Sequence, residues 1–304
     1  MLRSTLMWLA GNQQSEKMVR GCRVTRSLID RFVAGENLDE ALGRVRDIHS
    51  HGQHTTLDLL GENVSSAADA QAAADAYVQI IGRLRESGFD PNISIKLTMI
   101  GLDLDEGATW ERLQTIVGRA ADLGGFVRVD MEGSDYTEQT LALFRRIHDL
   151  HPEHVGIVLQ AMLYRTERDV DEMIERRARV RLVKGAYNEP ETVAFPLKGD
   201  VDAAYRRHLE RLLETGTYPA IATHDESILR VARGYAGRMG IGKERFEFQM
   251  LYGVRRDLQQ QLADDGYNMR VYVPFGTSWY PYFMRRLAER PANVLFVARN
   301  VVRS

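Results

Sequence analysis

Eight short apolar or β-branched runs, each followed by a longer stretch of helical period, restrict the fold of this chain more than any other feature. They occupy residues 55–60, 92–99, 126–131, 156–162, 180–184, 220–223, 246–251 and 269–273. Amphipathic stretches such as 67–87, 110–123, 138–150 and 200–214 lie between them. Strands alternating with helices call for a parallel sheet, and eight is the strand number of a (β/α)8 TIM barrel. The competing architecture is a doubly wound open sheet, which usually announces its phosphate site with a glycine-rich turn after the first strand. Here that turn would be Leu59-Leu60-Gly61-Glu62-Asn63, which lacks the glycine pattern. With 304 residues the chain is long enough for one such barrel. Residues 1–50 read as an extra N-terminal helical segment: Leu28, Ile29, Phe32 and Val33 recur at helical spacing, and Asn37-Leu38-Asp39-Glu40 marks a new helix start. Residues 51–304 are then the barrel and catalytic domain.

Composition narrows the function classes. A formal net charge of −2 provides no field for gathering nucleic acid or anionic lipid. The single cysteine, Cys22, excludes an intramolecular disulfide and a multi-cysteine metal site, and is read as a small buried side chain. No apolar run reaches the roughly 20 residues that span a bilayer, and the start of the chain lacks the h-region of a signal peptide. The expected setting is cytoplasmic. His49, His51 and His54 precede the first strand and are read as loop or helix-face residues, so no metal is expected.

In a barrel the chemistry sits at the carboxyl ends of the strands. Seven successive runs end in polar residues: Lys96; Arg128, Asp130 and Glu132; Gln160; Arg181 and Lys184; Thr223 and His224; Gln249; Tyr272. Both signs of charge recur, so the pattern points to one shared polar pocket. Arg128, Asp130 and Glu132 alternate and should share a strand face. Arg181 and Lys184 are three apart and should diverge unless the strand bends. Buried charges need partners, and Lys96 with Asp130 on neighbouring strands is the natural pair. In the last unit Ser278 can cap a helix that Pro291 ends. On that helix Tyr282, Arg286 and Glu289 share a face, and Arg285 pairs with Glu289 at i, i+4. Two adjacent arginines beside aromatics suit a small carboxylate, since the guanidinium fork binds it bidentately.

These motifs resemble, in order, those of the proline dehydrogenase family. They are Ser94-Ile95-Lys96-Leu97, Arg128-Val129-Asp130-Met131-Glu132-Gly133, Gly156-Ile157-Val158-Leu159-Gln160-Ala161, and Arg181-Leu182-Val183-Lys184-Gly185-Ala186-Tyr187. Ala222-Thr223-His224-Asp225, Glu247-Phe248-Gln249-Met250-Leu251-Tyr252-Gly253 and Tyr282-Phe283-Met284-Arg285-Arg286-Leu287-Ala288-Glu289-Arg290-Pro291 follow. The resemblance implies FAD over the carboxyl end of a distorted barrel. It implies flavin contacts from Met131, Gln160, Arg181, Lys184, Gly185, Ala186, Thr223 and His224. Arg181 would lie near N5, with Thr223 and His224 nearer the ribityl and phosphate part. Arg285 and Arg286 would bind the substrate carboxylate; Lys96, Asp130, Tyr272 and Glu289 would complete the pocket. Asp130 and Arg181 are the candidate catalytic residues. The implied reaction is oxidation of L-proline to Δ1-pyrroline-5-carboxylate by hydride transfer to flavin N5, the first step of proline catabolism.

The resemblance further implies a quinone acceptor, a transient contact at the inner face of the membrane, and a link to pyrroline-5-carboxylate dehydrogenase. Asn188 stands where some bifunctional members carry tryptophan, a departure from that pattern. Two other readings of the same mouth are a flavin barrel reductase using NADH and a non-catalytic amino-acid-binding barrel.

Overall fold

A computed structural model of the chain describes residues 29–289, without the side chains of Arg285, Leu287, Ala288 and Glu289. Cys22, Leu28 and Pro291, singled out above, lie outside the described residues. Eight parallel strands close in sequence order: β1 (His54–Leu59), β2 (Asn92–Ile95), β3 (Phe126–Val129), β4 (Val155–Gln160), β5 (Arg179–Val183), β6 (Ala220–Ala222), β7 (Glu247–Leu251) and β8 (Asn268–Phe275). The seam is long: β8 pairs with β1 over six positions, from Arg270 opposite His54 to Phe275 opposite Leu59.

Before β1 comes α1 (Leu38–Ser50), and after the strands come α2 (Ala67–Glu86), α3 (Glu106–Asp122), α4 (Thr137–Leu150), α5 (Thr166–Glu175), α6 (Lys198–Thr215), α7 (Glu226–Met239), α8 (Arg256–Asp264) and α9 (Trp279–Glu289). Side chains that satisfy the first free amides start several of these helices. Asn37 accepts from the Glu40 amide at 3.0 Å while the Glu40 carboxylate accepts from the Glu36 amide, a reciprocal cap. The side chains of Ser66, Asp105 and Asp225 accept from first-turn amides of α2, α3 and α7, without the return bond.

Two helices have exchanged the places a regular barrel would give them. Ala41, Leu42, Val45 and Ile48 of α1 are buried in the main core, and α1 packs on β8 and β1 across the seam. That is where the helix following β8 normally lies. Displaced from the ring, α9 instead turns Pro281, Tyr282 and Arg286 toward the carboxyl end of the barrel. Its outer side is covered by Ile29, Phe32 and Val33, which pack with Trp279, Tyr280, Phe283 and Met284 in a separate apolar cluster. Backbone bonds fix this strap: the Ala34 amide to the Pro274 carbonyl, and the Gly276 amide to the Gly35 carbonyl. Gly253, at φ +73, lets the Arg31 carbonyl pass where a β-carbon would stand.

The barrel interior departs from the branched-apolar filling usual in this fold. At its floor Glu247 and Arg270 form an ion pair at 3.0 Å with both side chains almost wholly enclosed. Arg270 also donates to the Thr55 carbonyl at 2.8 Å. Despite burial, which pushes the other way, Arg270 and Gln249 hold the Glu247 carboxyl below its ordinary range. Arg128 threads the same layer, donating to the Ile157 and Arg179 carbonyls. It fits because Gly156 lacks a side chain there.

Candidate active site

The carboxyl ends of the strands open into a cavity of about 960 Å³. Lys96 reaches it from the end of β2, and Asp130 and Met131 from just past β3. Gln160 comes from β4, and Arg181, Lys184, Gly185 and Ala186 from β5 and the turn beyond it. Thr223 and His224 follow β6, Tyr272 stands on β8, and Arg286 comes from α9. Every motif residue with a described side chain that was assigned to substrate or cofactor therefore faces one space. The side chains of Arg285 and Glu289 lie outside the described residues; their backbone is part of α9.

At the centre, Asp130 accepts from Arg181 Nη1 at 2.8 Å and from the Tyr272 hydroxyl at 2.9 Å, one on each carboxylate oxygen. Arg181 Nη2 donates to Ser94 Oγ at 3.0 Å, and its guanidinium lies 5.2 Å from the Tyr272 ring centre. Burial, then the Asp130 and Asp58 carboxylates, push the Tyr272 phenol well above its ordinary value, so it stays a donor.

The expected Lys96–Asp130 ion pair is present, but Asp130 is not the nearest partner of Lys96. Lys96 Nζ donates to Asp58 at 3.0 Å, and Asp130 lies farther off at 3.8 Å. Asp58, on β1, was missed by the sequence reading; its side chain is 1% exposed. The signal was an acid set between Leu57 and Leu59 in a strand, one of the costliest residues to bury unpaired. Burial draws the Lys96 ammonium down, but Asp58 and then Tyr272 and Asp130 outweigh it and hold it well above the ordinary value. Fully ionised, Asp58, Asp130, Lys96 and Arg181 sum to zero charge.

The alternation expected for Arg128, Asp130 and Glu132 also ends early. β3 stops at Val129, and Glu132 turns away from the mouth to accept from the Thr98 amide and hydroxyl at 3.2 and 2.6 Å. Its backbone carbonyl takes a bond from Gln160 at 2.9 Å, which sets that amide at the cavity wall. Arg181 and Lys184 both face the cavity because β5 ends at Val183 and the chain then bends through Gly185 at φ +118. Lys184 Nζ donates to Asp202 at 2.5 Å and Asp225 at 2.8 Å. Although burial pushes the other way, these bonds and the Ser227 hydroxyl keep the Asp225 carboxyl below its usual range. His224 accepts from the Leu251 amide at 3.0 Å, joining the ends of β6 and β7. His49 and His54 sit at the opposite, amino end of the barrel.

An eight-stranded parallel barrel with one deep charged cavity at the carboxyl ends of its strands defines a (β/α)8-barrel enzyme. A family model described as proline dehydrogenase matches residues 41–299. The proline dehydrogenase of Deinococcus radiodurans is 41% identical over 305 residues, covering 99% of this chain and 98% of that one. Proline dehydrogenase 2 of Bacillus subtilis is 39% identical over 303 residues, with 99% of each covered. Among solved structures, proline utilization A (PutA) from Bdellovibrio bacteriovorus inactivated by N-propargylglycine superposes with a TM-score of 0.82 at 29% identity. That match covers 87% of this chain and 33% of the other, so this chain spans about a third of it. The chain belongs to the proline dehydrogenase family, and it is an oxidoreductase.

Proposed function

We propose that this chain oxidises L-proline to Δ1-pyrroline-5-carboxylate with FAD as hydride acceptor, and that a quinone then takes the electrons. The observation that carries the reading is the single cavity onto which the described motif residues of seven strands and α9 converge. The residues present fit a flavin. At about 960 Å³ the space is at the upper end for ligand sites, ample for an extended cofactor beside a small substrate. On its wall the buried Arg181 Nε and Gln249 Oε1 have no hydrogen-bond partner within the protein.

When bound, the flavin supplies the hydride-accepting chemistry that no protein side chain offers. Gln160, Arg181, Lys184, Thr223 and His224, with Met131 and the Gly185–Ala186 backbone, would hold it. Lys184 is fixed by two carboxylates and Arg181 by Asp130 and Ser94, so both cations stand preorganised rather than reorienting during the reaction. Arg286, with Arg285 beside it in sequence, would hold the substrate carboxylate and convert two encounters into one oriented complex. Tyr272 would wall the ring, held upright by Asp130. Lys96 and Asp130 close the pocket from below, and α9 excludes water from above. Among the described residues no helix is long and apolar enough to cross a membrane. The quinone would therefore be met at the membrane surface. The imine product, in equilibrium with an open aldehyde, requires an aldehyde-oxidising activity to consume it.

The test is an anaerobic absorbance spectrum of the purified protein before and after L-proline. Flavin bands that bleach with L-proline but not with NADH are expected. Bands that stay oxidised with proline would overturn the substrate; a protein that binds no FAD would overturn the cofactor. Replacing the arginine in R286M should lower kcat/KM for L-proline by about ten- to a hundredfold, the equivalent of one charge-assisted contact. Most of that loss should appear in KM. A variant within twofold of the parent would remove Arg286 from substrate binding.

A further inference from the structure

Asp58 has no part in the reading above, yet it is the most deeply buried charge of the inner mouth. It is 1% exposed, against 4% for Arg181 and 8% for Lys96. It accepts a hydrogen bond from Lys96 at 3.0 Å, and the Tyr272 hydroxyl faces it as well. Lysine is a flexible stem with three rotatable donors. The next anion within its reach is Asp130 Oδ2, at 3.8 Å. That same oxygen accepts the Tyr272 hydroxyl at 2.9 Å, while the other oxygen is held by Arg181. If Lys96 lost Asp58, its ammonium would have Asp130 Oδ2 as its remaining counter-charge. Closing the 3.8 Å gap would set it in competition with the phenol for one acceptor.

We propose that Asp58 is a positioning residue for substrate recognition: by anchoring Lys96 it leaves Asp130 to Arg181 and Tyr272, and so keeps the Tyr272 phenol standing as a wall of the substrate pocket. Resting on the proline reading, this adds to it the device that sets the pocket's shape. Asp58 acts through Lys96. The link runs across four strands, from β1 through β2 and β3 to β8.

A double-mutant cycle on the FAD-loaded protein tests it, with D58N, K96M and D58N/K96M read against L-proline and an artificial dye acceptor. D58N should raise KM for L-proline by about tenfold, within the range of coupling in one ion-pair network. In the K96M background the same change should cost less than about twofold, because the residue through which Asp58 acts is gone. Equal factors in both backgrounds would overturn the proposal, since a purely structural Asp58 would act with or without Lys96. If D58N alone does not fold, the double variant, which buries neither charge alone, is read against K96M; a further loss beyond about threefold would count against the proposal.

A crystal structure of D58N, or of K96M should D58N not fold, gives a second reading that needs no turnover. In D58N, Lys96 Nζ should move to hydrogen-bonding distance of Asp130 and the Tyr272 hydroxyl should leave it. Lys96 unmoved would sink the idea. In K96M, Tyr272 should stay on Asp130, and its departure would sink the idea too. A wild-type flavin that proline does not reduce would instead refute the proline reading, an outcome separate from either.

Discussion

Replacing Asp130 with alanine should lower kcat/KM for L-proline by about a hundred- to a thousandfold, and Tm by about 6–15 °C. The two effects share one cause. Arg181 and Lys96 are nearly enclosed, and Asp130 is the carboxylate they have in common. Removing it leaves a guanidinium buried without a counter-charge, a change that typically costs about 3–5 kcal/mol. It also frees the Tyr272 hydroxyl, which has donated to Asp130. D130N separates the contributions. The amide oxygen can still accept from Tyr272, so the wall should survive while the charge balance does not. Thermal melts and steady-state kinetics on the two variants check this. D130A melting within 2 °C of the parent, or D130N matching the parent in kcat/KM, would show that the central pair is not what holds the mouth.

The second large effect lies at the opposite end of the barrel and touches no substrate. A β-carbon on Gly156 would stand 2.4 Å from Arg128 Nη1, 2.6 Å from the Arg179 carbonyl oxygen and 2.8 Å from Phe126 Cζ. The arginine could swing aside only by abandoning its carbonyl acceptors in a closed interior, and the Arg179 carbonyl belongs to a paired strand. G156A is therefore an overpacking change, expected to cost about 3 kcal/mol and to lower Tm by about 6–12 °C. G118A is the control. Gly118 lies inside α3 with nothing within 4 Å of its β-carbon position, so alanine there should stabilise by about 0.5–1 kcal/mol. G156A melting no lower than G118A would mean that Arg128 is not packed as described.

The strand count was legible because parallel strands buried on both faces read as apolar runs. The strand ends were not. The run at 92–99 outlasts β2, which stops at Ile95, because the following Leu97, Thr98, Met99 and Ile100 form a turn as buried as any strand. Apolarity reports burial, not backbone geometry. The residues around the cavity were readable because a charge at the end of a strand is costly in most barrels and informative here. Partner choice was not readable. Lys96 takes its near neighbour Asp58 over Asp130 by less than an ångström, a difference that side-chain packing decides and strand order does not. Nor did helical period reveal that α9 leaves the ring. The hint was that Trp279, Tyr280, Tyr282, Phe283 and Met284 are apolar almost all round, and such a helix is covered on more than one side.

The exchange of α1 and α9 bears on the order of folding. The helix that seals the β8–β1 seam precedes β1, so the ring can close once β8 has been reached and needs no contribution from α9. Closure still joins residues more than 200 positions apart, a long loop to gather and hence a slow step. The lid can then fasten afterwards as its own cooperative unit, held by the smaller cluster around Ile29, Phe32 and Trp279. Hydrogen exchange on such a molecule would show two levels of protection, with α9 and the strap opening together while the strands stay shut.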